Sequence, residues 1–165
     1  MNDVLQAIQA RRSVRRFASE PITREQVEAV LEAGRWAPSG KNTQPWRFVV
    51  VESPDKREEL AALAPQAGMV AAAPATLAVL LDRSAGYDTL KDAQGIGAAI
   101  ENILLAAHAL GLGACWMGRT RDAAIEAALG AKEDEELMAL IPIGHPAQQP
   151  DRVSRHPLAS ITRFV

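Results

Sequence analysis

Ala37-Pro38-Ser39-Gly40-Lys41-Asn42-Thr43-Gln44-Pro45 runs directly into Trp46-Arg47-Phe48-Val49-Val50-Val51. The first part is a cluster of turn formers. The second is β-branched and aromatic, the composition of a buried strand. A polar loop that opens onto a core strand sets the pattern for the chain. Downstream, Ser53-Pro54-Asp55 starts a helix with proline at its first position; it reaches about Ala64, before Pro65. Residues 75–81 (ATLAVLL) form a second buried strand, followed by a loop over 82–90. Residues 91–110 repeat apolar side chains at Ile96, Ile100, Ile103, Leu104 and Ala107, the spacing of a helix, and Gly111 and Gly113 end it. Residues 114–117 are a short strand, Thr120 opens a helix that ends near Gly130, and residues 136–143 (ELMALIPI) form a further strand. Upstream, Thr23 and Gln26 have capping-box spacing, ahead of an apolar face at Val27, Val30 and Leu31. A first short helix, capped by Asp3, is expected to carry Val4, Leu5 and Ile8 inward. Alternating strands and helices predict an α/β or α+β sandwich with helices covering a sheet. The last residues, Ser160 to Val165, suit a strand added to a neighbouring sheet, in a partner chain.

The chain has 165 residues, enough for one domain with a substantial core. Hydrophobic residues make up 48% and charged residues 23%, an ordinary globular mixture, and the formal net charge of -2 contains no basic run that would suit nucleic acid. No stretch offers the ~18 apolar residues of a membrane span, and the N-terminal residues lack the layout of a signal peptide. The single cysteine, Cys115, excludes an intrachain disulfide. A cytoplasmic location is the expectation.

Two segments carry candidate chemistry. Arg11, Arg12, Arg15 and Arg16 crowd around Ser13 after the first helix. Guanidinium forks match phosphate oxygens and a serine hydroxyl adds a donor; the alternative is a solvated helix end where cations favour the dipole. In the 37–45 loop, Ser39, Asn42 and Gln44 alternate as hydrogen-bonding groups and Gly40 permits close approach. Asn and Gln both donate and accept, which suits the edge of a heterocycle; the alternative is a polar surface loop. Common fingerprints are absent: no GxGxxG, no phosphate-binding GxxxxGK[ST], no HExxH and no GxSxG. His108 and the aromatic rings of Trp46 and Trp116 are expected in the core, and Cys115 is expected to be a small buried hydrophobe.

Together these segments resemble the FMN-dependent nitroreductase family. The resemblance is carried, in order, by Arg11-Arg12-Ser13-Val14-Arg15-Arg16-Phe17, by residues 37–48, by residues 97–118 (GAAIENILLAAHALGLGACWMG), and by Ile141-Pro142-Ile143-Gly144-His145-Pro146 with Arg155-His156-Pro157-Leu158. It implies a single domain over residues 1–165. The fold would be α+β, a three-layer α/β/α sandwich with a mixed, mainly antiparallel sheet. It also implies an intertwined homodimer with FMN sites at the interface. By the same resemblance Arg11, Arg12, Ser13 and Arg155 would hold the phosphate or ribityl chain, and Arg15 would approach the pyrimidine end of the flavin. Pro38, Ser39 and Gly40 would come from the other subunit, while Asn42 and Gln44 meet the ring edge. The Cys115-Trp116-Met117-Gly118 turn would lie along the flavin with a backbone N–H near N5. No metal and no side-chain nucleophile is implied. The chain is short for the family, so insertions that wall the substrate pocket in larger members are expected to be missing.

The implied activity is ping-pong hydride transfer through the flavin, from NADPH or NADH to a nitroaromatic, quinone or similar small acceptor. Rival functions are a different flavin reaction on the same scaffold, such as dehalogenation or dehydrogenation, and a non-enzymatic flavin-binding carrier.

Overall fold

A computed structural model describes residues 2–118 and 121–165. The chain places α1 (Asp3–Ala10), α2 (Arg24–Arg35), β1 (Trp46–Val51), α3 (Pro54–Leu63), α4 (Ala67–Ala72), β2 (Ala75–Asp82), α5 (Thr89–Ala109), β3 (Gly113–Ala114), α6 (Ala123–Leu129), β4 (Glu135–Gly144) and α7 (Leu158–Ile161) in sequence, with a 3₁₀ turn at Gly40–Asn42. Local signals explain most boundaries. Thr23 and Gln26 form the reciprocal capping box that opens α2. Pro54 sits in the first turn of α3, where its missing N–H costs nothing. Gly130 closes α6 in the left-handed region at φ 69°. The start of α6 is capped by Asp122; Thr120, expected to open it, lies outside the described residues.

The sheet has the order β1-β2-β4-β3, and its strand ladders are all antiparallel. One parallel bridge, Ser13 to Ala114, makes it mixed. Alternation along the strands sends side chains into two cores. Ala75, Leu77, Val79 and Leu81 of β2 meet α2 and α5, with Trp46 of β1 and Ile141 and Ile143 of β4. Ala78 and Leu80 face the other way, toward Leu60, Val70, Ile125 and Leu140. Helices therefore cover both faces, and the expected α+β, three-layer arrangement is the one observed.

Two expectations change, at α1 and at Trp116, and the tail and the 65–74 segment add detail. Val4, Leu5 and Ile8 are 63%, 53% and 50% exposed, because within one chain α1 has no element packed over its apolar side. Residues 160–165 form no strand; Leu158–Ile161 is a single helical turn, closed by Ser160 donating through N–H and hydroxyl to the Pro157 carbonyl. The 65–74 segment, unassigned by periodicity, contains α4, whose Met69 and Val70 enter the second core. Trp116 is 42% exposed, whereas Trp46 is buried as expected.

The end of β2 fixes the loop that follows it. Asp82 accepts hydrogen bonds from Ser84 N–H and hydroxyl and from Ala85 N–H, and pairs with Arg47 Nη2 at 2.6 Å. The Ser84 hydroxyl, then the Ala85 N–H and Arg47, hold its carboxyl below the usual carboxylate range. Its stabilisation is fully present above the unfolded-state value and is lost as pH falls through the lowered folded value. Asp82→Ala is therefore expected to cost about 1–3 kcal/mol in urea unfolding at pH 7. The difference from wild type should shrink at pH values acidic enough to protonate Asp82 in the wild-type fold.

Candidate functional site

The arginine-rich segment leaves α1 and runs along the far edge of the sheet. Val14 N–H donates to the Ala114 carbonyl at 3.0 Å, placing Arg11 to Arg15 beside β3. The approach is close: a Cβ on Gly113 would stand 2.6 Å from Val14 side-chain atoms, so glycine is what admits the segment here. The chain then crosses to the end of β4, where Ala18 N–H donates to the His145 carbonyl and Ala147 N–H to that of Arg16, each at 2.9 Å. Three of the four sequence segments singled out above, the first, third and fourth, thus meet in one region.

Within it the arginines differ. Arg11 is mostly covered, with 18% of its side chain exposed, and its Nε lies 3.2 Å from Glu101 Oε1 on α5. Arg12 Nη1 donates to the carbonyls of Gln9, Ala10 and Arg11, satisfying acceptors at the C-terminal end of α1. That is the helix-end role, and it also fixes where the rest of the guanidinium stands. A cleft of about 640 Å³ is lined by Ile8, Gln9, Arg11, Arg12, Arg152, Val153, Ser154 and Arg155. Its lining includes four arginines and no acidic residue, side chains whose guanidinium forks suit a phosphate dianion. Ser13 and Arg15 are not in its lining; they lie toward Ala114 and Cys115. Arg15 and Arg16 are exposed, as is Arg155, which donates to the Ser154 carbonyl.

The Cys115–Gly118 segment continues from β3 as extended chain. Cys115 and Met117 are buried, and their N–H groups donate to Pro142 and Leu140 of β4. Burial pushes the Cys115 thiol up, only partly opposed by Arg15 and Arg11, so it is no ready nucleophile. Trp116 turns outward over α5, where a Cβ on Gly97 would be 3.8 Å from its ring. Among the described residues the Trp116 N–H has no acceptor.

The 37–45 loop stands elsewhere. Lys41, Asn42 and Gln44 all have positive φ, at 53°, 57° and 50°. Such left-handed non-glycine residues cost about 1–3 kcal/mol each and persist where surroundings impose them. Ser39 Oγ accepts from Gln44 N–H at 3.0 Å, and Gln44 Nε2 donates to the Asn42 carbonyl at 3.3 Å. Pro38, Lys41, Asn42 and Gln44 are exposed, Ser39 and Gly40 half-buried. The loop meets α5 at Gly95, where a Cβ would be 3.4 Å from that of Ser39.

Helix geometry then separates the two groups. Gly97 and Glu101, which take Trp116 and Arg11, are one turn apart on one side of α5. Gly95 lies about 200° around the helix from Gly97. On the Gly95 side Asn102 also donates to Ala33 at the end of α2. In a single chain the arginine segment and the Ser39–Gln44 loop therefore flank opposite sides of α5.

Two neighbours escaped the sequence reading. Glu101 carried a signal, as the lone acid in the apolar half of α5. Tyr87, which packs on Gly40, carried none beyond being the only tyrosine. His108 is half-buried rather than core, beside a small cavity of about 140 Å³ that also touches Arg11 and Arg12. Among the described residues no group of His, Cys, Asp and Glu could hold a metal ion, and no helix is long and apolar enough to cross a membrane.

Known proteins share this fold. The nitroreductase family model matches residues 8–67 and 63–145. A Methanothermobacter thermautotrophicus protein assigned as an NADH dehydrogenase/NAD(P)H nitroreductase is 35% identical over 152 residues, covering 90% of this chain and 80% of its own. A Desulfovibrio desulfuricans protein assigned as a nitroreductase and crystallised in complex with FMN superposes with a TM-score of 0.93 at 44% identity, over 100% of this chain and 98% of its own. The NADPH:FMN oxidoreductase of Vibrio harveyi, complexed with NAD+, superposes at 0.89 with 30% identity, over 99% and 77%. Matched by the family model over most of its length and by these structures over nearly all of it, the chain belongs to the nitroreductase family.

Proposed function

We propose that the chain is a single-domain, FMN-dependent NAD(P)H oxidoreductase whose flavin sites are completed by a second copy. The observation that carries this reading is the cleft lined by four arginines and no acidic residue, on the same side of α5 as exposed Trp116. Arg11 and Arg12 are already oriented there by Glu101 and the end of α1, and with Arg155 they would hold the FMN phosphate. Ser13 would donate to the phosphate or ribityl chain. Arg15 would stand at the pyrimidine end, where a cation favours the anionic reduced ring. The backbone N–H of Trp116, outside the β-ladder, would be the donor near N5, and the backbone of Cys115, Met117 and Gly118 would run along the flavin. The flavin held there would supply hydride transfer between NADPH or NADH and a small acceptor such as a nitroaromatic or quinone. The protein's part is to bind, orient and exclude water from one face of the ring.

The partner's Pro38, Ser39 and Gly40 would lie against the ring, with Asn42 and Gln44 of that same loop meeting its edge. The placement of the two groups on opposite sides of α5 in one chain supports a shared site. Three surfaces support the intertwined dimer. α1 exposes Val4, Leu5 and Ile8. β1 is an edge strand beside an apolar groove of about 340 Å³ lined by Val49, Val50, Leu60 and Leu129 among others. The tail from residue 151 is exposed throughout, Leu158, Ile161 and Phe164 at 74%, 70% and 93%.

Purified protein incubated with FMN should show bound-flavin absorbance that bleaches on anaerobic addition of NADPH or NADH. Bands that persist with both donors would favour a carrier, and no retained flavin would overturn the reading. Arg15→Ala should lower the bound flavin's midpoint potential by about 30 mV, a roughly tenfold change in the relative affinity for its two redox states; an unchanged potential removes Arg15 from the site. Deleting residues 150–165 should shift sedimentation toward monomer and release FMN, and a truncated monomer that retains FMN would contradict the shared site.

A further inference from the structure

The loop between β2 and α5, residues 83–88, has no part in the function above, yet its Tyr87 packs on one end of the Gly40–Gln44 segment, and the strand residues Arg47 and Asp82 hold the other. At one end Arg47 Nη1 donates to the Gln44 carbonyl at 3.3 Å while its Nη2 holds Asp82. At the other end stands Tyr87. Its ring fills the space beside Gly40: a Cβ there would overlap the hydroxyl and lie 2.6 Å from ring carbon Cε1. Lys41 Nζ rests over the same ring, 4.6 Å from its centre, a cation–π distance.

Tyr87 is itself anchored. Asp92, in the first turn of α5 and 4% exposed, accepts from the N–H groups of Tyr87 and Asp88 at 2.9 and 3.0 Å. Gly86 clears this carboxylate, which a Cβ at that position would strike. A buried carboxyl group that accepts from these backbone donors ties the backbone of the loop to the helix. Gly40 does not have positive φ, so its own backbone does not require glycine. What a side chain here would meet is the ring of Tyr87, a residue that is 43% exposed.

We propose that Tyr87, fixed by Asp92, is a positioning residue that clamps Gly40 and Lys41 and so keeps Asn42 and Gln44 in the left-handed conformation that presents them to the flavin. Without the ring, Lys41 loses its platform and Gly40 its neighbour, and the strained residues relax toward ordinary backbone. The clamp stands on geometry within one chain; its consequence for FMN rests on the function proposed above.

The test has two readouts on the full-length protein. In FMN titrations followed by flavin fluorescence, Tyr87→Ala should weaken binding about tenfold, as expected for a loop misplaced by a fraction of an ångström to an ångström. Tyr87→Phe, which keeps the ring, should stay within about twofold of wild type. Wild-type affinity in a folded Tyr87→Ala protein overturns the proposal, as does a Tyr87→Phe defect as large as that of Ala. The second readout needs no flavin. Gly40→Ala should lower the melting temperature in the wild-type background and have little effect in the Tyr87→Ala background. An equal loss in both backgrounds overturns the clamp. Should the wild-type chain retain no FMN, the flavin reading falls on its own, and the Gly40–Tyr87 coupling still decides whether the clamp exists.

Discussion

All eight residues of β2 are buried, and this strand constrains everything around it. A strand that faces apolar layers on both sides cannot expose either row of side chains, so both helical layers must form together with the sheet. Burying a Leu or Val side chain contributes roughly 1.5–3 kcal/mol, and β2 supplies such residues to two cores at once. The consequence for the site is indirect but firm. α5 is pressed on one side against β2 and its neighbours, which leaves its flanks and outer face for other uses. One flank receives Arg11 and Trp116, the other Ser39 and Asn102's partner on α2.

Much of this was legible in the sequence, and the reasons are local. The capping box at Thr23, Pro54 at a helix start, the β-branched run at 46–51 and the helical spacing over Ile96–Ala107 each depend on neighbours a few positions away. Position-specific signals of that kind survive without tertiary information. The failures share a different cause. Val4, Leu5 and Ile8 have the periodicity of a buried face, and so they carry the right pattern for a surface that one chain leaves open. The final segment, read as a strand for a partner's sheet, pairs with no strand of its own chain.

The site divides along the same line. The arginines and the turn-rich loop are conspicuous because unusual residues cluster in sequence. What orients them is not conspicuous. Glu101 reaches Arg11 from 90 positions away, and the Arg47–Asp82 pair joins residues 35 apart. Nor does composition announce left-handed backbone at Lys41 and Gln44, since neither residue favours it. Such strain is imposed by packing, and only the folded chain displays it.

The division of labour around α5 has a consequence for how the chain can change. Within Gly95–Glu101 the helix works as a ruler with a fixed angular scale. Inserting or deleting one residue there would rotate one set of attachments by about 100° and shift it by about 1.5 Å relative to the other. The Ser39 loop and the arginine segment would then no longer share a common frame. A change of length in the connections or the tail would leave that frame intact, whereas one within this short helical interval would not.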